Sequence, residues 1–149
     1  AANKLPRYEI LQPRYNLYDR SDFEGPLKDI ALSEELGVIT YSSLASGFLT
    51  GKYRSEADLS QSQRGGGVKR YLDERGMRIL AALDEVAARH NAQPADVALA
   101  WVIVSEGVTA PIASATSVEQ LDTLVRAPTL AQALSKEDID LLNEASALG

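Results

Sequence analysis

Two apolar segments that run into small and hydroxylated residues hold the groups of this chain best suited to chemistry. The first is Gly37-Val38-Ile39-Thr40-Tyr41-Ser42-Ser43-Leu44-Ala45-Ser46-Gly47-Phe48-Leu49-Thr50-Gly51-Lys52-Tyr53; the second is Ala110-Pro111-Ile112-Ala113-Ser114-Ala115-Thr116-Ser117-Val118-Glu119-Gln120-Leu121. Each reads as a buried strand that stops in a turn able to bring backbone N–H groups and hydroxyls up to a phosphate. The run Val38-Ile39-Thr40 is β-branched, and Gly47 and Gly51 permit close backbone approach. Ser117 is placed to cap a helix starting at Val118, whose N-terminus attracts an anion. The chemistry they point to is a phosphate-bearing ligand held at the C-terminal ends of parallel strands.

The elements that must position these groups are legible in outline. Tyr8 to Asn16 is expected to be a strand that closes near Pro13, which has no N–H for a ladder. Pro26 to Leu36 is a helix with Leu27, Ile30, Ala31 and Leu36 on one face and Gly37 as its stop. Val38 to Tyr41 is the next strand, and residues 54–68 form a flexible polar loop holding Gly65-Gly66-Gly67. A long helix follows from about Tyr71 to His90, with Leu72, Met77, Leu80, Leu83 and Val86 on one face and Asn91 as its end. The next has Pro94 in its first turn and Val97, Leu99, Ala100, Val102 and Ile103 within it. Val108 to Ala113 is a third strand and Val118 to Arg126 another helix. Ser135-Lys136-Glu137-Asp138 resembles a capping box opening the last helix, with Ile139, Leu141 and Leu142 turned inward. No internal repeat is visible.

Alternating strands and helices imply an α/β fold of right-handed βαβ units with a parallel sheet. A parallel sheet needs both faces covered, and three strands leave two open edges. The chain is therefore expected to be part of a larger structure.

Composition agrees with a folded domain: 149 residues, 45% hydrophobic and 24% charged. No apolar run reaches the length of about 18 residues that a membrane span needs, and with no basic segment followed by an apolar one at the start no secretory signal is expected. Cysteine is absent, which removes disulfide and thiolate chemistry and fits a cytoplasmic location. A net charge of −6 argues against a nucleic-acid partner, and a membrane partner is not expected either.

Taken in order, these segments resemble the C-terminal half of an aldo-keto reductase, an eight-stranded (β/α)8 TIM barrel that binds NADP(H). Leu11-Gln12-Pro13-Arg14-Tyr15-Asn16 is similar to the sixth strand, and Thr40-Tyr41-Ser42-Ser43-Leu44 through Gly51-Lys52-Tyr53 to the seventh strand and its pyrophosphate loop. Val97-Ala98-Leu99-Ala100-Trp101-Val102 resembles the helix before the eighth strand, and Pro111 to Leu121 the eighth strand with the adenosine-phosphate site. The Tyr-Ser-Ser-Leu-Ala-Ser-Gly and Gly-Lys-Tyr combination most resembles the bacterial branch related to potassium-channel β subunits. The resemblance spans residues 1–149, read as one partial barrel of about strands 6–8 with their helices.

The resemblance implies a cofactor site. Gln12 would hydrogen-bond the nicotinamide carboxamide and Tyr41 would stack on its ring, an aromatic pairing of about 0.5–1.5 kcal/mol beyond area burial. Ser42, Ser43, Leu44, Ser46 and Gly47 would wrap the pyrophosphate, with Lys52 and Arg64 as cations. Ser114, Thr116, Ser117 and Gln120 match positions that hold the 2′-phosphate and adenine, while Leu124 stands where the family often has Asn. The family's Asp, Tyr, Lys and His, which protonate the carbonyl of an aldehyde or ketone while hydride arrives, belong to the first four strands. No catalytic residue is assigned in this chain, and the chain alone is expected not to reduce aldehydes.

Other residues have plainer readings. Tyr41 without its motif is a core aromatic, and Gly65-Gly66-Gly67 lacks the strand-and-helix context of a dinucleotide fingerprint. Asp19, Asp22 and Glu24 read as a solvated loop rather than a metal site, Trp101 as core, and His90 as a surface or helix-dipole residue. Glu137, Asp138 and Asp140 favour the dipole at their helix start.

Three functions follow: an NADP(H)-dependent carbonyl oxidoreductase whose cofactor half is seen here, a non-catalytic nucleotide-binding or redox-sensing module, or an inactive truncated fragment. Beside a small carbonyl substrate, the expected partner is the missing N-terminal half of the barrel or another copy of the chain. Ile10, Val38, Ile39 and Ile112 are expected to be the apolar groups left uncovered without it.

Overall fold

Three short strands lie parallel in the order β1-β2-β3: β1 is Ile10–Leu11, β2 Gly37–Thr40 and β3 Ala110–Pro111. The computed structural model describes residues 6–61 and 65–148. Leu11 pairs with Val38, and Ile39 and Thr40 pair with Ala110 and Pro111. β1 ends just before Pro13, as expected, and only isolated backbone bonds continue past it. The proline lacks a donor, but its carbonyl accepts from Tyr41 N–H at 3.0 Å, and Tyr15 N–H then donates to the Tyr41 carbonyl at 3.2 Å. On the other edge, Thr109 N–H meets the Val38 carbonyl at 2.9 Å and Ile112 N–H meets Thr40 at 2.8 Å.

Alternation along the strands sorts the two faces. Leu11, Val38 and Thr40 turn toward the helices, with Val38 and Thr40 fully buried. Val38 is therefore not among the uncovered groups, because it shares the helix-facing side of the ladder with Leu11. The opposite face carries Ile10, Gln12, Tyr41 and Ile112, of which Ile10 is 56% exposed and Tyr41 and Ile112 are 44% exposed.

The helices follow from local chemistry with some displaced ends. α1 (Pro26–Ser33) begins at its proline but stops before Gly37. Glu35 takes the left-handed turn (φ 52°), and Leu36 N–H reaches back to the Ala31 carbonyl at 2.8 Å. Gly37 instead opens β2. On α1 only Ala31 is buried, while Leu27 and Ile30 stay exposed, so the expected apolar face is covered at a single small residue.

The stretch expected to be a flexible loop carries a 3-10 turn at Glu56–Gln61 and α2 (Gly65–Val68), and a further 3-10 turn at Lys69–Tyr71 follows it. Val68 and Tyr71 anchor it in the core. α3 (Glu74–Arg89) starts three residues later than expected, because Asp73 accepts from Gly76 N–H at 2.7 Å as its cap. Only glycine fits at position 76, where a Cβ would lie 1.8 Å from the Tyr71 carbonyl oxygen. Asn91, left-handed at φ 50°, ends α3 as expected.

α4 (Pro94–Val104) is buried almost all round, Trp101 included; the indole N–H donates to Asn143 Oδ1 at 3.0 Å. α5 (Val118–Ala133) runs past Arg126 and through Pro128, with Ala127 and Ala131 packed inward. α6 (Lys136–Ala145) opens with the capping box: Asp138 N–H donates to Ser135 Oγ and Ser135 N–H to Asp138 Oδ2, both at 3.1 Å. No helix among the described residues is long and apolar enough to cross a membrane.

His90 sits at the α3 C-terminus and is partnered rather than free at the surface. Its Nε2 lies 2.8 Å from Asp138 Oδ2, and Arg89 donates to Asp138 Oδ1 at 2.8 Å. Asp138, 2% exposed, thus joins the end of α3 to the start of α6. Burial pushes its carboxyl pKa up, but hydrogen bonds from His90, Ser135 and Arg89 outweigh that and hold it well below the usual carboxylate range.

A depressed folded pKa contributes stability that is complete above the ordinary value near 3.8 and lost as pH falls through the lower one. Asp138→Ala should cost about 2–4 kcal/mol at neutral pH. Its deficit against the parent should shrink as pH falls below about 4, measured by urea unfolding across pH. Equal midpoints at neutral pH would exclude this role.

Candidate functional site

The C-terminal ends of all three strands open on the same side of the molecule, as parallel strands require. Gln12 follows β1 and is exposed. Tyr41 follows β2 on the same sheet face, tied to the segment after β1 by its bridge with Arg14. The loop after β3 brings Ser114, Thr116 and Ser117 to the start of α5, all three exposed.

The turn after β2 has an unusual backbone. Ser42, Ala45 and Ser46 take left-handed φ of 59°, 49° and 59°, and Gly47 follows at 94°. Left-handed conformations cost a non-glycine residue about 1–2 kcal/mol. Such strain persists only where the surroundings enforce it, and it gathers at binding sites. A left-handed backbone of this kind can turn N–H groups outward as a cradle for an anion, here only those not already bonded within the turn. Ala45 N–H closes onto the Ser42 carbonyl at 2.8 Å, Gly47 N–H onto Leu44 at 2.9 Å, and Thr50 Oγ1 donates to the Gly47 carbonyl at 2.7 Å.

The side chains of the turn divide by direction. Ser43 is buried and its hydroxyl donates to the Ile112 carbonyl at 3.2 Å, stitching the loops after β2 and β3 together. Leu44 packs on the core, so Ser43 and Leu44 can meet a ligand only through backbone. Ser42 and Ser46 are partly exposed. Lys52 Nζ lies 5.0 Å from the Tyr53 ring centroid, and a Cβ on Gly47 would sit 3.8 Å from Lys52 Cε, so this exposed cation lies against the cradle. Arg64 lies outside the described residues.

At the α5 N-terminus, Gln120 Oε1 accepts from Thr116 N–H at 2.8 Å and from Thr116 Oγ1 at 3.1 Å. Gln120 N–H donates in turn to the Ser117 cap at 3.3 Å. Glu119, in the first turn, opposes an anion there.

The acidic loop is solvated at Asp22 but also serves as an anchor. Asp19 accepts from Asn16 Nδ2 at 3.1 Å and from the Tyr71 hydroxyl at 2.8 Å, with Arg70 at 3.3 Å. Asp22 pairs with Arg14 at 2.7 Å, and Glu24 accepts from Tyr15 at 2.7 Å and Arg20 at 2.8 Å. Sequence reading missed Arg14, Asn16, Arg70 and Tyr71 as supports of the site. An Asn just after a strand signals an Asx turn, which could have flagged Asn16. Among the described residues no group of three acidic, His or Cys side chains could hold a metal ion.

A sequence model of the aldo/keto reductase family matches residues 2–147. The chain is 35% identical to Protein tas of Escherichia coli (strain K12) over 121 residues, 80% of this chain and 35% of that protein. It is 32% identical to L-glyceraldehyde 3-phosphate reductase of the same strain over 124 residues, 79% of this chain and 36% of that one. A probable voltage-gated potassium channel subunit beta of Oryza sativa subsp. japonica is 28% identical over 136 residues, 88% of this chain and 42% of that protein. The chain thus spans between about a third and two-fifths of the length of these curated relatives.

Strain in the cradle has a measurable consequence. Ser46→Gly should raise stability by about 0.5–1 kcal/mol by removing a left-handed Cβ, while taking a hydroxyl from the site. A lower urea midpoint for the variant would show that Ser46 is not strained.

Proposed function

The chain belongs to the aldo/keto reductase family, and from that membership we propose that it is the NADP(H)-holding part of a carbonyl oxidoreductase barrel. Its three strands are read as about the sixth to eighth of the (β/α)8 fold. The observation that carries this reading is the left-handed cradle at Ser42 to Gly47, placed between Tyr41 and Lys52 at the strand C-termini. The donor set suits a dinucleotide: hydroxyls and backbone N–H groups for pyrophosphate, one cation beside them, and a second hydroxyl cluster at a helix start.

NADPH, when bound, supplies the hydride. Gln12 orients the nicotinamide amide and Tyr41 stacks on the ring. Ser42, Ser46 and the cradle backbone hold pyrophosphate with Lys52. Ser114, Thr116 and Ser117 receive the 2′-phosphate, and the Gln120 amide faces adenine.

The tyrosines with displaced pKa values do not suit proton donation to a carbonyl. Burial, then a hydrogen bond to Asp73, pushes Tyr18 up to about 12, and burial raises Tyr15 and Tyr71 as well. A general acid needs a pKa brought toward the working pH, not away from it. We assign the proton donor to strands outside these residues, which would extend the sheet from the open edges of β1 and β3. Likeness to a protein named as a potassium channel subunit favours a second reading, a nucleotide-binding subunit that senses redox state. An Asp, Tyr, Lys and His on the earlier strands of the full reading frame would decide for the enzyme.

The full-length protein should bind NADPH more tightly than NADH in a fluorescence titration, with added salt narrowing the gap. Equal affinities would remove the 2′-phosphate assignment, and no binding of either would overturn the reading.

A further inference from the structure

We infer that Asn16 is a positioning residue that holds the cradle after β2 in its binding geometry. This rests on the cofactor reading above and deepens it. Asn16 is fully buried, and both ends of its amide are hydrogen-bonded. Its Oδ1 accepts from Tyr18 N–H and Asp19 N–H, both at 2.8 Å, which folds the chain after β1 into an Asx turn. Its Nδ2 donates to Asp19 Oδ2 at 3.1 Å and to the Ser42 carbonyl at 3.0 Å.

The Ser42 contact is the informative one. Ser42 is the first left-handed residue of the cradle, and its carbonyl also accepts from Ala45 N–H at 2.8 Å. A fixed carbonyl at Ser42 fixes the peptide plane that leads into the turn, so one amide hydrogen helps to enforce a conformation the residue disfavours. Asp19, the other acceptor, is gripped by the Tyr71 hydroxyl and Arg70. Asn16 thereby refers the cradle to two other pieces of the molecule, the loop after β1 and the segment that ends at Tyr71.

The test uses the full-length protein and NADPH as the probe. Asn16→Ala removes all four bonds. Asn16→Ser keeps a short acceptor for the turn but cannot reach the Ser42 carbonyl, and serves if the alanine variant does not fold. Asn16→Ser should weaken NADPH binding about tenfold, as loss of one buried hydrogen bond does, and Asn16→Ala at least as much.

Ser42→Gly gives the separating readout, because glycine adopts φ near 59° without enforcement. On a Ser42→Gly background, Asn16→Ser should cost less than twofold further, a non-additive cycle. A merely structural asparagine would cost the same on both backgrounds, and that additivity, or unchanged NADPH affinity in the Asn16 variants, overturns the inference. Failure of the unaltered protein to bind NADPH would instead overturn the cofactor reading on which it rests.

Discussion

Backbone pairing on both edges of β2 is the constraint to which the rest of the structure answers. One edge carries Leu11 opposite Val38 and continues through Pro13 and Tyr15; the other carries Ala110 and Pro111 and continues to Ile112. Because side chains alternate along a strand, this register decides in one stroke which residues meet the helices. It puts Val38 and Thr40 in the core and leaves Tyr41 at the open face, beside the turn that follows. The Thr40 hydroxyl is the cost of that placement: among the described residues it is buried without a hydrogen-bond partner.

Around this ladder the polar contacts lock ends, not middles. Ser43 reaches from the β2 turn to the carbonyl of Ile112, Asn16 reaches from the β1 loop to Ser42, and Asp19 collects Tyr71. Farther out, Arg54 forks onto Asp84 at 2.8 Å through both terminal nitrogens while its Nε meets the Gly51 carbonyl at 2.7 Å. The exit of the cradle is thus pinned to α3. A strained turn survives in this molecule because each of its flanks is held by a different element.

What the sequence made legible was local. Ser135 and Asp138 announce their cap, Asn91 its left-handed stop, and Pro26 a helix start, because each acts on a neighbour within four residues. Gly37 misled for a related reason: glycine is the usual stop, but Glu35 accepted the strain two residues earlier and released Gly37 to β2. The support of the site was hidden because it is long-range. Asp19 and Tyr71 lie 52 positions apart, and no periodicity links them. The candidate site showed through in its small residues and hydroxyls, whereas the division of labour between Ser43, which faces a carbonyl, and Ser42 depended on the fold.

Among the described residues, α4 gives water the least room, since its residues from Ala95 to Val102 are all buried. A segment apolar on nearly every side gains little by forming alone, and an isolated helix of eleven residues is marginal in water in any case. Its order must arrive together with that of α3 and α5, which pack against it. During folding it is also the piece most ready to adhere to the wrong surface, as transiently uncovered apolar segments are. The speed at which its two neighbours wrap it therefore sets how long the nascent protein is vulnerable to aggregation.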